Sequence, residues 1–407
     1  MRSCWEAKAA GSMRGMKKKP RNLGLQLLGF LRSQSPAMVT LLGELARCES
    51  PSHDKAAVDR CGEIVAREWK RRKANVRILE QKKRGNHVRA EFTWGDPPSA
   101  PQILVLGHID TVYPLGTLRK MPFRIANGRA WGPGTFDMKG GLVQALFATD
   151  ALRALQAYPG HRLVFLWTSD EEIGSESSRA IIEKEARRSE GVLVLEPAFG
   201  REGRLKTARK GGGGAEIIVT GRSAHAGIEP EKGVNAVHEL ALQIERLMGM
   251  NDPRRGITVQ TTVIAGGTVS NVVPDAARAQ VDIRVSRMAD AAGIERKLQS
   301  LRPVLKGAKV EVSGGINRPP LERTAAVARA FAQAKAVMKE MGLKLGEAST
   351  GGGSDGNFTA ALGIPTLDGL GAVGDGAHSP HEHVVIRALP ERSALLAALL
   401  MSWDVCG

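Results

Sequence analysis

Residues 131–141 read WGPGTFDMKGG, and the acid at their centre is Asp137. Gly132, Pro133 and Gly134 spell a tight turn ahead of it, because glycine reaches backbone conformations closed to other residues and proline presets the turn angle. Gly140 and Gly141 then let the backbone pass closely into a helix, on which Leu142, Ala145, Leu146, Thr149 and Leu152 recur at helical spacing. A carboxylate delivered by such a turn is a candidate functional group. The segments around it decide what it works with.

Ile103–Gly107 is a continuous apolar run that suits a strand buried on both faces, and it ends at His108. Leu163–Thr168 is the next such run and ends at Ser169, Asp170, Glu171 and Glu172. Val192–Leu195 is a third, ending at Glu196 and Pro197. Helical patterns over residues 38–70, after Asp137 and over 178–188 alternate with these runs, and Asn75–Leu79 and His87–Phe92 read as further strands. Alternating strands and helices predict an α/β fold, which gathers ligands at the C-terminal ends of its strands. Three strands ending in carboxylate or imidazole groups form a constellation.

The chemistry follows from residue type. His108 and Asp110 sit two apart, so a strand period places both on one face, and Asp110 can accept from the ring nitrogen not used for a metal. Asp170, Glu171 and Glu172 would repel one another unless a cation compensates them. Adjacent glutamates point in different directions, which offers Glu172 as a ligand and Glu171 as a general base on water. Glu196 adds a carboxylate, and His378, His381 and His383 compete to add an imidazole. One bridging aspartate among such groups suits two Zn²⁺ ions, with Co²⁺ or Mn²⁺ as substitutes.

The composition changes at Gly211–Gly214. Strand (215–220), helix (234–247), strand (257–265), strand (277–285), helix (291–301) and strand (309–313) follow, a β-α-β-β-α-β order that predicts an inserted ferredoxin-like unit. The expected organisation is a basic, disordered extension over 1–34, a catalytic domain over 35–210 and 317–407, and the insert over 211–316. The glycine clusters at its borders, Gly211–Gly214 and Gly314–Gly315, are expected to act as hinges.

The formal net charge of the 407-residue chain is +16, and residues 1–34 alone carry eight basic side chains against Glu6. The basic runs at 70–73 and 82–84 contain no aromatic residues for base stacking, so nucleic-acid binding is not expected. No apolar run is long enough to cross a bilayer. Leu23–Leu31 after the basic Lys17–Arg21 is a weak signal-peptide pattern, interrupted by Gln26, and a start at Met13 or Met16 is the alternative expectation. The four cysteines form no CxxC pair and read as reduced thiols of a cytoplasmic protein.

These residues resemble the co-catalytic zinc exopeptidases and amidohydrolases that include glutamate carboxypeptidase, aminoacylase, acetylornithine deacetylase and succinyl-diaminopimelate desuccinylase. The matching pieces run in order: GHIDTVYPLG (107–116), GPGTFDMKGG (132–141), TSDEEIGS (168–175), LEPA (195–198), SAHAG (223–227), GGTVSNVVPD (266–275), VDIR (281–284), GGGSDGN (351–357) and HSPHEHV (378–384). The resemblance implies a zinc-exopeptidase-like mixed sheet flanked by helices, with the insert as a lid and dimerisation domain. It implies one zinc held by His108, Asp137 and Glu196 and the other by Asp137, Glu172 and His378, the last favoured because an acid, Glu382, follows four residues later. It makes Glu171 the base, Asp110 the orienter of His108, and His225 an oxyanion donor to the partner subunit's site in a homodimer. It places Asn271, Arg284 and Gly353 on the substrate, with Arg284 gripping a carboxylate. GPGTFDMKGG is most similar to the glutamate carboxypeptidase branch. The expected activity is release of a C-terminal amino acid, glutamate or similar, from a small acyl-amino acid or peptide. An N-acyl amino acid deacylase of the deacetylase or desuccinylase type is the alternative. A non-catalytic binding protein on the same fold is a remote one.

Overall fold

The computed structural model describes residues 22–94 and 100–404. They divide into two compact units, one running up to Thr207 with Arg323–Ala348 and the chain from Leu362 onward, the other comprising Ala208–Glu322 and Ser349–Ala361. The expected insert of 211–316 is therefore wider at both ends, and it takes in the glycine-rich 349–361.

In the first unit a six-stranded sheet runs in the order Asn75–Leu79, His87–Phe92, Arg162–Thr168, Gln102–His108, Ser189–Val194, Thr366–Leu367. The first two strands pair antiparallel, as do the second and third, and the remaining pairs are parallel. Every residue of Gln102–His108 is buried, because this central strand has neighbours in the sheet and side-chain layers on both faces. Helix Gly140–Ala154 is buried almost all round, whereas helix Lys55–Arg71 turns only its apolar side, including Trp69, to the sheet. Trp69 packs on Phe165 with ring centroids 4.3 Å apart.

The expected disordered extension of 1–34 is corrected over its last part. Leu23–Ser33 is a helix whose Leu23, Leu27, Leu28 and Leu31 are buried, packing against helix Ala388–Ser402. Leucines at i, i+4 and i+8 form one apolar stripe, and a core can bury such a stripe whatever charge precedes it. Residues 1–21 of the expected extension lie outside the described residues.

A second, smaller sheet of the same unit decides the site. Its order is Gly374–Asp375, His383–Val385, Arg129–Trp131, Arg124–Ala126, all antiparallel. His383 pairs with Trp131 in it. Two segments some 250 residues apart in sequence are thereby brought side by side: the one running into Asp137 and the one carrying His378.

The other unit holds a four-stranded antiparallel sheet in the order Thr258–Gly266, Ala276–Val285, Gly211–Thr220, Lys309–Arg318, with helices Ala236–Met248 and Met288–Gln299. This is the ferredoxin-like order with the first and third strands central. Ile217, Val219, Leu240, Val259, Ile283 and Leu298 are in its core. The glycines expected as hinges are strand residues instead. Gly211–Gly214 pair with Asp282–Val285 on one side, and Gly212, Gly213 and Gly214 pair with Arg318, Ile316 and Gly315 on the other. A Cβ on Gly213 would lie 2.1 Å from the Gly315 carbonyl oxygen, so these glycines permit close strand approach.

Candidate metal centre

His108, Asp137, Glu171, Glu172, Glu196 and His378 all belong to the first unit. His108, Glu171, Glu172 and Glu196 lie at or just beyond the C-terminal ends of its parallel strands, and Asp137 and His378 on segments that adjoin the small antiparallel sheet. His108 is the last residue of the central strand, and its ring is buried. Its Nδ1 lies 3.0 Å from the Asp110 carbonyl oxygen and 3.4 Å from Asp110 Oδ1. The expected carboxylate–imidazole contact is thus present, but the backbone carbonyl is the closer partner. Nε2 points the other way, 3.4 Å from Asp137 Oδ1 and 3.6 Å from Glu196 Oε1.

The second imidazole occupies the opposite side of Asp137. His378 Nε2 is 3.4 Å from Asp137 Oδ2 and 3.1 Å from Glu172 Oε2. His378 has φ 60°, in the left-handed region, where a non-glycine residue is held at some cost in backbone energy. Asp137 therefore presents one oxygen to His108 beside Glu196 and the other to His378 beside Glu172. Glu171 stands in the same cluster: it, His108 and Glu196 each offer an atom within 4.8 Å of one another, and so do His108, Asp137 and Glu172.

The electrostatics fit cations. Burial works against charge on His108, yet the neighbouring carboxylates of Asp110, Asp137 and Glu196 raise its pKa well above the usual imidazole range. Contacts with Asp137 and Glu172 push His378 up to about 10. Burial alone would raise the Asp137 acid, but His108 and His378 hold it well below the usual carboxylate range. Burial raises Glu172. His108 Nε2, Asp137 Oδ1 and Glu172 Oε1 are buried atoms without a hydrogen-bond partner among the described residues. Buried polar atoms left unmatched and converging on one spot are what a divalent ion would satisfy. The residues present fit a metal site centred on Asp137.

The support around the ligands was largely invisible in the sequence. Asp110 accepts from the Ser52 hydroxyl at 2.6 Å and from the N–H groups of Glu171 and Glu172 at 3.3 Å each. It thus ties both glutamates to the strand that carries His108. Ser50 donates to the Ile109 carbonyl from the same loop. The Glu382 carboxylate is buried and accepts three backbone N–H groups of the Asp137 turn. Burial pushes its acid up to about 7, against the N–H groups and the Tyr113 hydroxyl that favour its charge. Arg392 is buried and donates to the carbonyls of Gly371 (3.0 Å), Gly203 (3.0 Å) and Gly369. Of these, Asp110 and Glu382 had a sequence signal, their spacing from His108 and His378.

The competing histidines have other partners. His383 lies on Trp131 with ring centroids 4.3 Å apart, its Nδ1 2.9 Å from the His381 carbonyl. His381 Nδ1 is 3.0 Å from the Ser379 hydroxyl.

The remaining expected residues belong to the second unit and are engaged locally. Exposed His225 accepts the N–H groups of Gly227 and Ile228 at Nδ1, both at 3.1 Å, and so caps a turn. Arg284 forks onto Asp282, Nε to Oδ1 at 3.0 Å and the terminal nitrogen to Oδ2 at 2.8 Å. Asn271 is exposed, and its carbonyl accepts from Ala226. The Gly353 carbonyl accepts from Arg209 at 2.8 Å, and a Cβ on Gly353 would meet Arg318 Cδ at 2.6 Å. Arg318 lies 3.4 Å from Asp355 and 4.7 Å from the centre of the Phe358 ring.

Residues 104–402 match the model of peptidase family M20/M25/M40. The chain is similar to carboxypeptidase G2 of Pseudomonas sp. (strain RS-16), 31% identical over 373 residues that cover 90% of this chain and 89% of that one. It is 30% identical over 328 residues to a succinyl-diaminopimelate desuccinylase of Dechloromonas aromatica, covering 74% of this chain and 83% of that one. Its fold is similar to the crystal structure of aminopeptidase PepT from Bacillus cereus, with TM-score 0.77, 21% identity, and coverage of 90% of this chain and 98% of that chain. The resemblance read from the motifs therefore holds along most of the chain, and the protein belongs to peptidase family M20/M25/M40, a metal-dependent peptidase or amidohydrolase.

Proposed function

We propose that this chain is a zinc-dependent amide hydrolase that releases a C-terminal amino acid, glutamate or a close relative, from an acyl or peptidyl group. The observation that carries the reading is Asp137, whose two oxygens face two separate imidazole–carboxylate clusters. Similarity to a protein named for carboxypeptidase activity favours this branch over the desuccinylase one.

His108, Asp137 and Glu196 would hold one zinc ion, and Asp137, Glu172 and His378 the other. Zinc ions bound there would act as Lewis acids on the scissile carbonyl and make water more acidic. Glu171, held at the cluster by the grip of Asp110 on its N–H, takes the proton of the attacking water and returns it to the leaving amine nitrogen. Asp110 fixes the ring orientation of His108. In a homodimer, His225 donates to the oxyanion in the partner subunit's site. Val263 and Ile264, exposed on the edge strand Thr258–Gly266, give the dimer an apolar edge to cover. Asn271, Gly353 and Arg284 contact the substrate, and Arg284 exchanges its fork on Asp282 for the substrate carboxylate. No helix among the described residues is long and apolar enough to cross a membrane. With its thiols reduced, the protein is assigned to the cytoplasm.

The test is a side-by-side assay of zinc-loaded and metal-stripped protein on folate-type acyl-glutamates, dipeptides, and N-acetyl and N-succinyl amino acids. Cleavage of acyl-glutamates by the zinc-loaded form alone is expected. Turnover confined to N-succinyl or N-acetyl amino acids would move the chain to the deacylase branch. A protein that retains two metals but cleaves none of these would leave only a binding role.

A further inference from the structure

The Asp137 turn and the segment carrying His378 are far apart in sequence, and one buried side chain joins them. Glu382 follows His378 by four residues and is fully buried. Its Oε1 accepts the N–H groups of Phe136 at 2.7 Å and Asp137 at 2.8 Å, and its Oε2 accepts that of Gly134 at 2.9 Å. Its own carbonyl accepts the N–H of Gly132, and its own N–H donates to the Ser379 carbonyl. The Ser379 carbonyl also accepts the Tyr113 hydroxyl at 3.0 Å, from the loop that follows His108 and Asp110. One residue therefore gathers the turn that delivers Asp137, the turn that delivers His378 and the loop after the central strand.

Given the metal centre proposed above, on which this inference rests, we propose that Glu382 is a positioning residue that sets the separation of Asp137 and His378 and so holds the two halves of the centre in register. Three convergent N–H groups need an anion with two acceptor oxygens. An amide offers one acceptor oxygen and turns N–H bonds toward the remaining donor. Without an acceptor the three N–H groups are buried and unmatched, and the turn relaxes toward other partners. Asp137 bears the consequence, because its own N–H is one of the three.

Glu382→Gln and Glu382→Asp test this. Each is purified, stripped of metal, and checked for fold by circular dichroism and thermal melting. Zinc stoichiometry is measured by elemental analysis, affinity by competition with a chromophoric chelator, and geometry from the visible spectrum of the cobalt-substituted protein. Glu382→Gln is expected to bind zinc at least about tenfold more weakly, as loss of support around metal ligands does, with a shifted cobalt spectrum. Glu382→Asp keeps the charge and both acceptor oxygens and is expected to recover part of the affinity. A merely structural role lowers the melting temperature and leaves affinity and spectrum at wild-type values in the folded protein; that result overturns the proposal. Equal affinity in the Gln and Asp variants overturns it as well. Should Glu382→Gln not fold, the comparison of Glu382→Asp with wild type decides, since an unchanged cobalt spectrum there again overturns it. Wild-type protein that binds no metal would instead sink the metal reading itself, a different result from two tightly bound ions that ignore position 382.

Discussion

The two units treat their candidate functional side chains in opposite ways. In the first, His108, Asp137, Glu172, Glu196 and His378 converge, and buried atoms on three of them lack hydrogen-bond partners among the described residues. In the second, His225 caps its own turn and Arg284 forks onto Asp282 two residues away. The difference teaches where preorganisation lies. The first unit gathers buried atoms of His108, Asp137 and Glu172 that no group among the described residues matches. The second unit's groups already have local partners within that unit. A side chain already paired contributes only the difference between its new partner and its old one.

The sharpest way to break this comparison is Asp137→Ala. It should lower metal content at both positions together and leave no measurable activity, whereas Glu196→Ala and His378→Ala should each weaken one position more than the other. Elemental analysis during dialysis against chelator reads this directly. Two equivalents bound at wild-type affinity by Asp137→Ala would mean that the aspartate bridges nothing. Next in size is Glu171→Gln, expected to keep both metals while losing about 10²–10⁴-fold in kcat, the usual contribution of a positioned general base. Loss of one metal there would make Glu171 a ligand, and its place beside His108 and Glu196 makes that a real alternative outcome.

Residues of the second unit supply smaller, more specific effects. Arg284→Ala should cost about 2–4 kcal/mol in kcat/KM on substrates with a free carboxylate, as removal of a charge-assisted pair does, and much less on amidated analogues. Asp282→Asn sharpens the contrast. If the fork on Asp282 competes with substrate, this variant lowers KM for the carboxylate substrate; a raised KM would show that Asp282 instead aims the guanidinium. His225→Ala should be nearly inactive with metals retained. Mixing it with Glu171→Gln should restore some activity if His225 serves the neighbouring subunit, and heterodimers without recovery would confine it to its own subunit or to turn capping. The smallest effects belong to the competing histidines. His381→Ala should change stability by less than about 0.5 kcal/mol. His383→Ala should cost about 0.5–1.5 kcal/mol by unstacking from Trp131. Metal content should stay unchanged in both, by the same elemental analysis.

Strand-end chemistry is local, so much of the centre was legible in the sequence. An apolar run buried on both faces must stop where the chain meets water, and His108, Glu172 and Glu196 stand at those stops. The ferredoxin-like unit was equally legible, because strand and helix periods are written residue by residue. Composition alone misled in two places. A basic N-terminus hid the leucine stripe of Leu23–Ser33, and the glycine clusters at 211–214 and 314–315, expected as hinges, are paired strand. Only the tertiary structure chose the partners. The short strands Arg129–Trp131 and His383–Val385 carry no periodicity of their own, yet their pairing sets Asp137 beside His378. Ser52 on Asp110 and Glu382 on the Asp137 turn are hydrogen bonds between residues far apart in the chain. Such contacts depend on distance and direction after folding, and a sequence specifies those only through the packing of the whole unit.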